Sequence, residues 1–304
     1  MCEVPIEQAI FTSVRRSTRE GYHVAATSPG VDHDEIRELS IWGPAHDALL
    51  DPRQGAQSIN FHQLSSGRFC VSLTTALDAE YSGRGGCEVY TQSLLVAPET
   101  LRRFANDPFR LLDAARAAKQ LTPLRPVPET LPSFSLVGKA SAVNSLLLTR
   151  LMQTPGVGAL IRLLEVALTA PALALAHTLP AARLFAGLLN LLPVECRPAF
   201  SFTTGLHPSS RRPFRWCVVG NDAGDRREVA ARSAAFWPPQ GEVSATGGEE
   251  TGWAGYIGRL LRENGVTGIS AVLKEPRPDV TCEQLDELAL ELASSTRPRA
   301  VAIN

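Results

Sequence analysis

Ile59-Asn60-Phe61-His62-Gln63-Leu64-Ser65-Ser66-Gly67-Arg68-Phe69-Cys70-Val71-Ser72-Leu73 is the stretch that sets the fold class. Ile59 and Phe61 alternate with polar partners, Leu64-Ser65-Ser66-Gly67 turns the chain, and Phe69, Val71 and Leu73 alternate again. Period-two alternation on both sides of a polar turn predicts a β-hairpin. Upstream, apolar residues from Ile6 to Val14 fall on both parities, which predicts a strand covered on both faces. A polar turn from Arg15 to Gly21 leads to a second strand, Tyr22 to Thr27, ended by Ser28-Pro29-Gly30. Asp32 and Glu35 have capping-box spacing ahead of Ile36 and Leu39, so a short helix follows. Glu88 to Val96 reads as a further strand. Pro98 and the pair Asp107-Pro108 mark the starts of two short helices.

Thr122 to Pro132 carries prolines at 123, 126, 128 and 132, an extended, stiff segment that fits a domain boundary. Beyond it the pattern changes to α/β. A strand at Phe134 to Val137 precedes a helix with Val143, Leu146, Leu147 and Leu151 on one face. Thr154-Pro155-Gly156 breaks that helix, and Val157, Leu160, Ile161 and Leu164 mark the next. Ala172 to Ala176, short and uncharged after Pro171, predicts a buried strand. Pro180 opens a helix through Leu192. Strands at Ala199 to Thr204 and Phe214 to Val219 then flank a basic loop, and the tail is helical from Trp253 to Arg262 and from Thr281 to Ala293. Thr281 with Gln284 repeats the capping-box spacing. The whole predicts an α+β chain: a mostly antiparallel β module over residues 1–122, then an α/β module over 123–304.

Composition excludes several function classes. Thirty basic against 31 acidic residues leave a net charge of −1, so no global field recruits nucleic acid or acidic membrane. The longest uncharged stretch, 17 residues between Glu165 and Arg183, holds Pro171 and Pro180 and falls short of the roughly 20 residues of a membrane span. Residues 1–5 have neither a basic start nor an apolar run, so no secretory signal is expected. Six cysteines, no two closer than 17 residues, form no CxxC pair and read as reduced thiols of a cytoplasmic protein.

Motifs for catalysis are missing too. Gly138-Lys139-Ala140-Ser141 lacks the hydroxyl residue after lysine, and Ser133 stands where a phosphate loop needs glycine. No GxSxG elbow, HExxH or metal-ligand spacing occurs, so no metal, cofactor or catalytic residue is expected. A Cys–His pair assembled only in three dimensions stays open. Two contact candidates remain. Gly83-Arg84-Gly85-Gly86 lets a partner's backbone approach closely, with Arg84 supplying a forked donor. Arg197, Arg211, Arg212 and Arg215 flank the turn between the two later strands and would make a donor surface if they converge; a solvated loop face is the plainer alternative.

Several segments resemble a known family. Ala9-Ile10-Phe11-Thr12-Ser13, Gly21-Tyr22, Ser28-Pro29-Gly30, Tyr81-Ser82-Gly83-Arg84 and Ser93-Leu94-Leu95-Val96 resemble the N-terminal domain of bacterial GTPase-associated proteins. Leu192-Pro193, Arg197-Pro198, the run from Phe200 to Gly205 and Arg212-Pro213-Phe214 are similar to that family's middle domain. Gly85-Gly86-Cys87 departs from the family pattern after Arg84. The resemblance implies a non-enzymatic adaptor that binds a GTPase in a bacterial conflict (immunity) system, and it carries over no catalytic residue. Arg84, Gly83, Gly85, Arg211, Arg212 and Arg215 are then the expected partner contacts. The alternatives are a hydrolase or nucleotide-processing enzyme with a site built from scattered residues, and an anion or nucleotide sensor using the arginine loop.

Overall fold

Alternation along the hairpin sorts its side chains onto two sheet faces, and both faces are buried. The computed structural model describes residues 5–16, 19–79, 87–238 and 251–295. Strands β1 (Glu7–Arg16), β2 (Arg19–Thr27), β3 (Gln57–Gln63), β4 (Phe69–Ala79) and β5 (Cys87–Val96) are antiparallel throughout. Strands β6 (Ala172–Ala176), β7 (Phe202–Thr203), β8 (Trp216–Val219) and β9 (Ala234–Trp237) form a parallel set. The two sets are one sheet: β3 pairs with β7 through Asn60↔Thr203 and Phe61↔Phe202, giving the order β2-β1-β5-β4-β3-β7-β8-β6-β9 among the described residues. The α+β reading holds, with the sheet continuous across the proline-rich segment. That segment lies along the sheet: Leu131 is buried, its N–H donates to the Thr27 carbonyl at 3.0 Å, and Gln8 donates to the Pro132 carbonyl at 2.7 Å.

One face of the sheet, with Phe61, Phe69, Val71, Leu94, Phe202 and Trp216, builds the main core. The helices α2 (Pro98–Arg103), α3 (Pro108–Ala117), α4 (Ser145–Leu151), α5 (Val157–Thr169), α6 (Ala181–Leu189), α8 (Gly252–Glu263), α9 (Gly265–Leu273) and α10 (Leu285–Ser295) pack on it. Ser145–Thr169 is long and apolar enough to cross a membrane by composition alone. Thr154 interrupts it with φ −146°, ψ 110°, and Leu148, Leu151, Leu160, Ile161, Leu163 and Leu164 join the main core. Leu146, expected on the buried face, is 62% exposed, because the inward row of α4 is Leu148 and Leu151.

The other face is covered by α1 (His33–Trp42), by α7 (Ala223–Ala231) and by the segments at residues 43–56 and 204–214. Asp32 and Glu35 form the expected capping box, and buried Glu35 also pairs with Arg68, which ties α1 to the β3–β4 turn. Asp107 caps α3, and Thr281 with Gln284 closes a second capping box. Three expectations shift. Phe134 makes only an isolated bridge to Ile6, so no strand forms at Phe134 to Val137. Pro198 lies in a 3₁₀ turn, Val194–Ala199, which shortens the following strand to Phe202–Thr203. The helix opened by Pro180 ends at Leu189.

Candidate functional site

The arginines of the basic loop do not gather at one point. Phe202–Thr203 leads upward to Gly205, Leu206 and His207, which pair with residues 48–50 through Leu50 N–H to Gly205 O at 2.9 Å and His207 N–H to Ala48 O at 2.8 Å. The chain then returns across the covered face through a tight turn in which Arg212 N–H donates to Ser209 O at 2.9 Å. Arg211 is exposed on this turn, and Arg212 beside it is half-buried, its pKa lowered by burial and by the Arg211 charge. Phe214 anchors the turn: its ring meets Trp42 edge-on at 4.9 Å. Arg215 goes elsewhere. Its guanidinium stacks over Phe200 at 4.4 Å and donates to the Leu168 carbonyl at 3.3 Å.

Arg197 is neither convergent with these nor solvated. It is 1% exposed and donates to the carbonyls of Ala105 at 2.9 Å, Ala142 at 2.5 Å and Leu192 at 3.1 Å. Its role is to hold the chain after α6 against the α2–α3 corner. Arg84, Gly83 and Gly85 lie outside the described residues.

The loop at Asp47 to Ala56 and the carboxyl ends of β6 and β8 form the second part of the site. In mixed α/β sheets the loops after parallel strands are the usual place for ligands. A cleft of about 170 Å³ is lined by Asp47, Leu49, Asp51, Cys87, Val89 and His207. A neighbouring one of about 360 Å³ shares Leu49 to Pro52 and adds Arg53, Gln57, His177 and Thr204. Arg53 donates to Asp51 at 2.6 and 2.9 Å and holds that carboxyl down at about 2, so it stays ionised. His207 donates Nδ1–H to Asp225, 2.9 Å from each carboxylate oxygen, and Asp225 also accepts the Gly220 N–H at 3.2 Å. This fixes the imidazole and leaves Nε2 as the ring nitrogen without a partner among the described residues, the arrangement that orients a general base. The Cys87 thiol, in the same cleft, donates to the Pro52 carbonyl at 3.2 Å. No group of three His, Cys, Asp or Glu side chains among the described residues is placed to hold a metal.

Between these features lies a buried polar plane. Ser58, Asn60, Ser72, Thr74, Thr91 and Thr203 are all at most 5% exposed and bond to one another. Asn60 accepts from Thr203 at 2.6 Å and Ser58 at 2.8 Å and donates to Thr74 at 3.1 Å, and Thr74 and Thr91 share a bond of 2.9 Å. His62 extends the plane, its ring stacked on Trp42 at 3.9 Å. Burial pushes its pKa down to about 3, so it is neutral at physiological pH.

The Asp225–His207 pair was not among the sequence candidates. Asp225 sits in the first turn of α7, Ala-Gly-Asp-Arg-Arg-Glu-Val-Ala-Ala, whose only buried apolar residue is Val229, so no apolar stripe announces a helix.

Residues 5–135 match the family model of GTPase-associated protein 1, N-terminal domain type 2. The match spans β1 to β5 and α1 to α3, the part that carries the resemblance read in Ala9 to Ser13 and Ser93 to Val96. No curated protein matches the chain.

Proposed function

We propose that this chain, built on a GTPase-associated N-terminal domain over residues 5–135, is a non-enzymatic cytoplasmic adaptor that docks a GTPase in a bacterial conflict system. The observation that carries the docking surface is Ile41, 58% exposed at the end of α1. The next residue, Trp42, packs on Phe214, the anchor of the turn that presents Arg211 and Arg212. An exposed aliphatic side chain next to a Trp/Phe pair, with Arg211 exposed on the turn that Phe214 anchors, matches the make-up of protein interfaces, which are enriched in aromatics and arginine. Ile41 sits on α1, and the turn that carries Arg211 is tied by the Arg212 N–H bond to the Ser209 carbonyl and by the Trp42–Phe214 contact, which limits the ordering entropy lost on docking. Five described cysteines are free thiols, which fits the reducing compartment of this reading.

Ile41→Asp and Arg211→Glu test it. Each removes one side of the contact without touching the core, and each is expected to weaken GTPase binding by at least roughly tenfold with Tm unchanged. Calorimetric titration of both variants checks this; wild-type affinity in both overturns the docking surface.

A hydrolase is the second reading, favoured by the His207–Asp225 pair in the cleft it shares with Cys87. Turnover of an activated ester by the chain alone, abolished in His207→Gln, is its expected mark. An absence of turnover in the wild type removes it.

A further inference from the structure

Two cysteines that are 86 residues apart meet where the C-terminal helices dock. Cys196 lies in the 3₁₀ turn Val194–Ala199, and Cys282 opens the 3₁₀ turn Cys282–Gln284 ahead of α10. The Cys282 thiol donates to the Cys196 carbonyl at 3.4 Å, and the Cys196 thiol to the Val280 carbonyl at 3.8 Å. Each thiol therefore bonds to the backbone of the segment that carries the other, which sets the two cysteines side by side. Their environments differ. Cys196 is 2% exposed, whereas Cys282 is half-buried and open to small solutes. Arg215, parked on Phe200 and the Leu168 carbonyl, adds a fixed positive charge beside Cys282, while Glu283 opposes it from the same turn. The neighbouring Cys196 thiol, aided by the Arg215 charge, lowers the Cys282 pKa against the opposing effect of burial, while the Cys282 thiol and burial raise that of Cys196.

A half-buried thiol near a guanidinium, with a buried thiol across the same junction, is the arrangement of an attacking and a resolving cysteine. We propose that Cys196 and Cys282 are a peroxide-oxidised pair that forms a disulfide and clamps the start of α10 to the chain segment before β7. Cys282 thiolate attacks one peroxide oxygen: an S–O bond forms, the O–O bond breaks, and the departing hydroxide takes up a proton to leave as water. Cys196 sulfur then attacks the Cys282 sulfenic acid: the S–S bond forms, the S–O bond breaks, and the hydroxide leaves as a second water with the Cys196 proton. Two thiols lose two electrons and the peroxide gains them. A dithiol reductant reverses the step. Arg215, a contact candidate by sequence, acts here as a positioning charge for Cys282.

The test is hydrogen peroxide added to the purified full chain, followed by thiol titration in denaturant and peptide mass mapping. Two of the six thiols should be lost, with a Cys196–Cys282 cross-linked peptide as the product. Tm should rise by roughly 5–10 °C, since a cross-link enclosing a long loop restricts the unfolded chain, and dithiothreitol should restore it. Cys282→Ser should keep all its remaining thiols and show no Tm shift. Arg215→Gln should slow the loss of thiols by roughly two- to threefold, in step with a lower thiolate fraction. Peroxide that leaves six thiols intact, or that carries Cys282 to a sulfinic acid with no cross-link, overturns the pair. An Arg215→Gln rate equal to wild type overturns the role of that arginine.

Discussion

Arg197→Met is expected to destabilise the fold by about 3–5 kcal/mol, the cost of removing one member of a buried charged network. Methionine fills a comparable volume, so the loss is electrostatic. Three carbonyls, of Ala105, Ala142 and Leu192, lose their donor. Asp107 loses the positive charge that opposes the burial raising its pKa, keeping only its helix-capping bonds and the Asn190 amide at 3.1 Å. That dependence fixes a pH signature. A carboxyl whose folded pKa is raised above its unfolded value costs nothing once both states are protonated, and costs more as pH climbs above the unfolded pKa. The variant's deficit should therefore shrink as pH falls from neutral into the carboxylate range. Urea midpoints at pH 7 and pH 5 measure it. A deficit under about 1 kcal/mol, the worth of an ordinary surface pair, would contradict the structural role.

His62→Phe should flatten the acid limb of the stability curve. The imidazole is stacked on Trp42 in the covered plane, and burial lowers its pKa from 6.5 to about 3. Below pH 6.5 the unfolded chain binds a proton that the folded chain refuses, so wild-type stability is lost as pH falls. The slope is about 1.4 kcal/mol per pH unit, or about 2 kcal/mol between pH 6.5 and pH 5. Phenylalanine keeps the stack with Trp42 and removes the titration. The difference between wild type and variant in urea midpoints from pH 7.5 to pH 5 isolates this group from the carboxylates. Parallel curves would show that His62 titrates normally.

Local signals carried the sequence a long way. Alternation in Ile59 to Leu73 located β3 and β4, and the caps at Asp32, Asp107 and Thr281 marked true helix starts. The short apolar run at Ala172 to Ala176 is an inner strand of the parallel set, between β8 and β9. What alternation could not convey is which second face is wet. Asn60, His62 and Ser72 read as ordinary polar partners of a strand, yet the segments at residues 43–56 and 204–214 cover them, and the contact of Phe214 with His62 spans more than a hundred residues. The same distance hid the β3–β7 pairing that makes one sheet of two patterns. The arginine loop was visible by charge; that Arg197 is buried and Arg215 turns to Phe200 depends on packing that no local window contains. Cys196 and Cys282, like His207 and Asp225, are brought together only by the fold.

Docking of a GTPase is the function proposed for this chain. Size-exclusion chromatography of the full chain, mixed with a GTPase encoded beside its gene and loaded first with GDP and then with a non-hydrolysable GTP analogue, tests it most directly. A shared peak is expected in one nucleotide state, separating again with Ile41→Asp. Separate peaks in both states would contradict it.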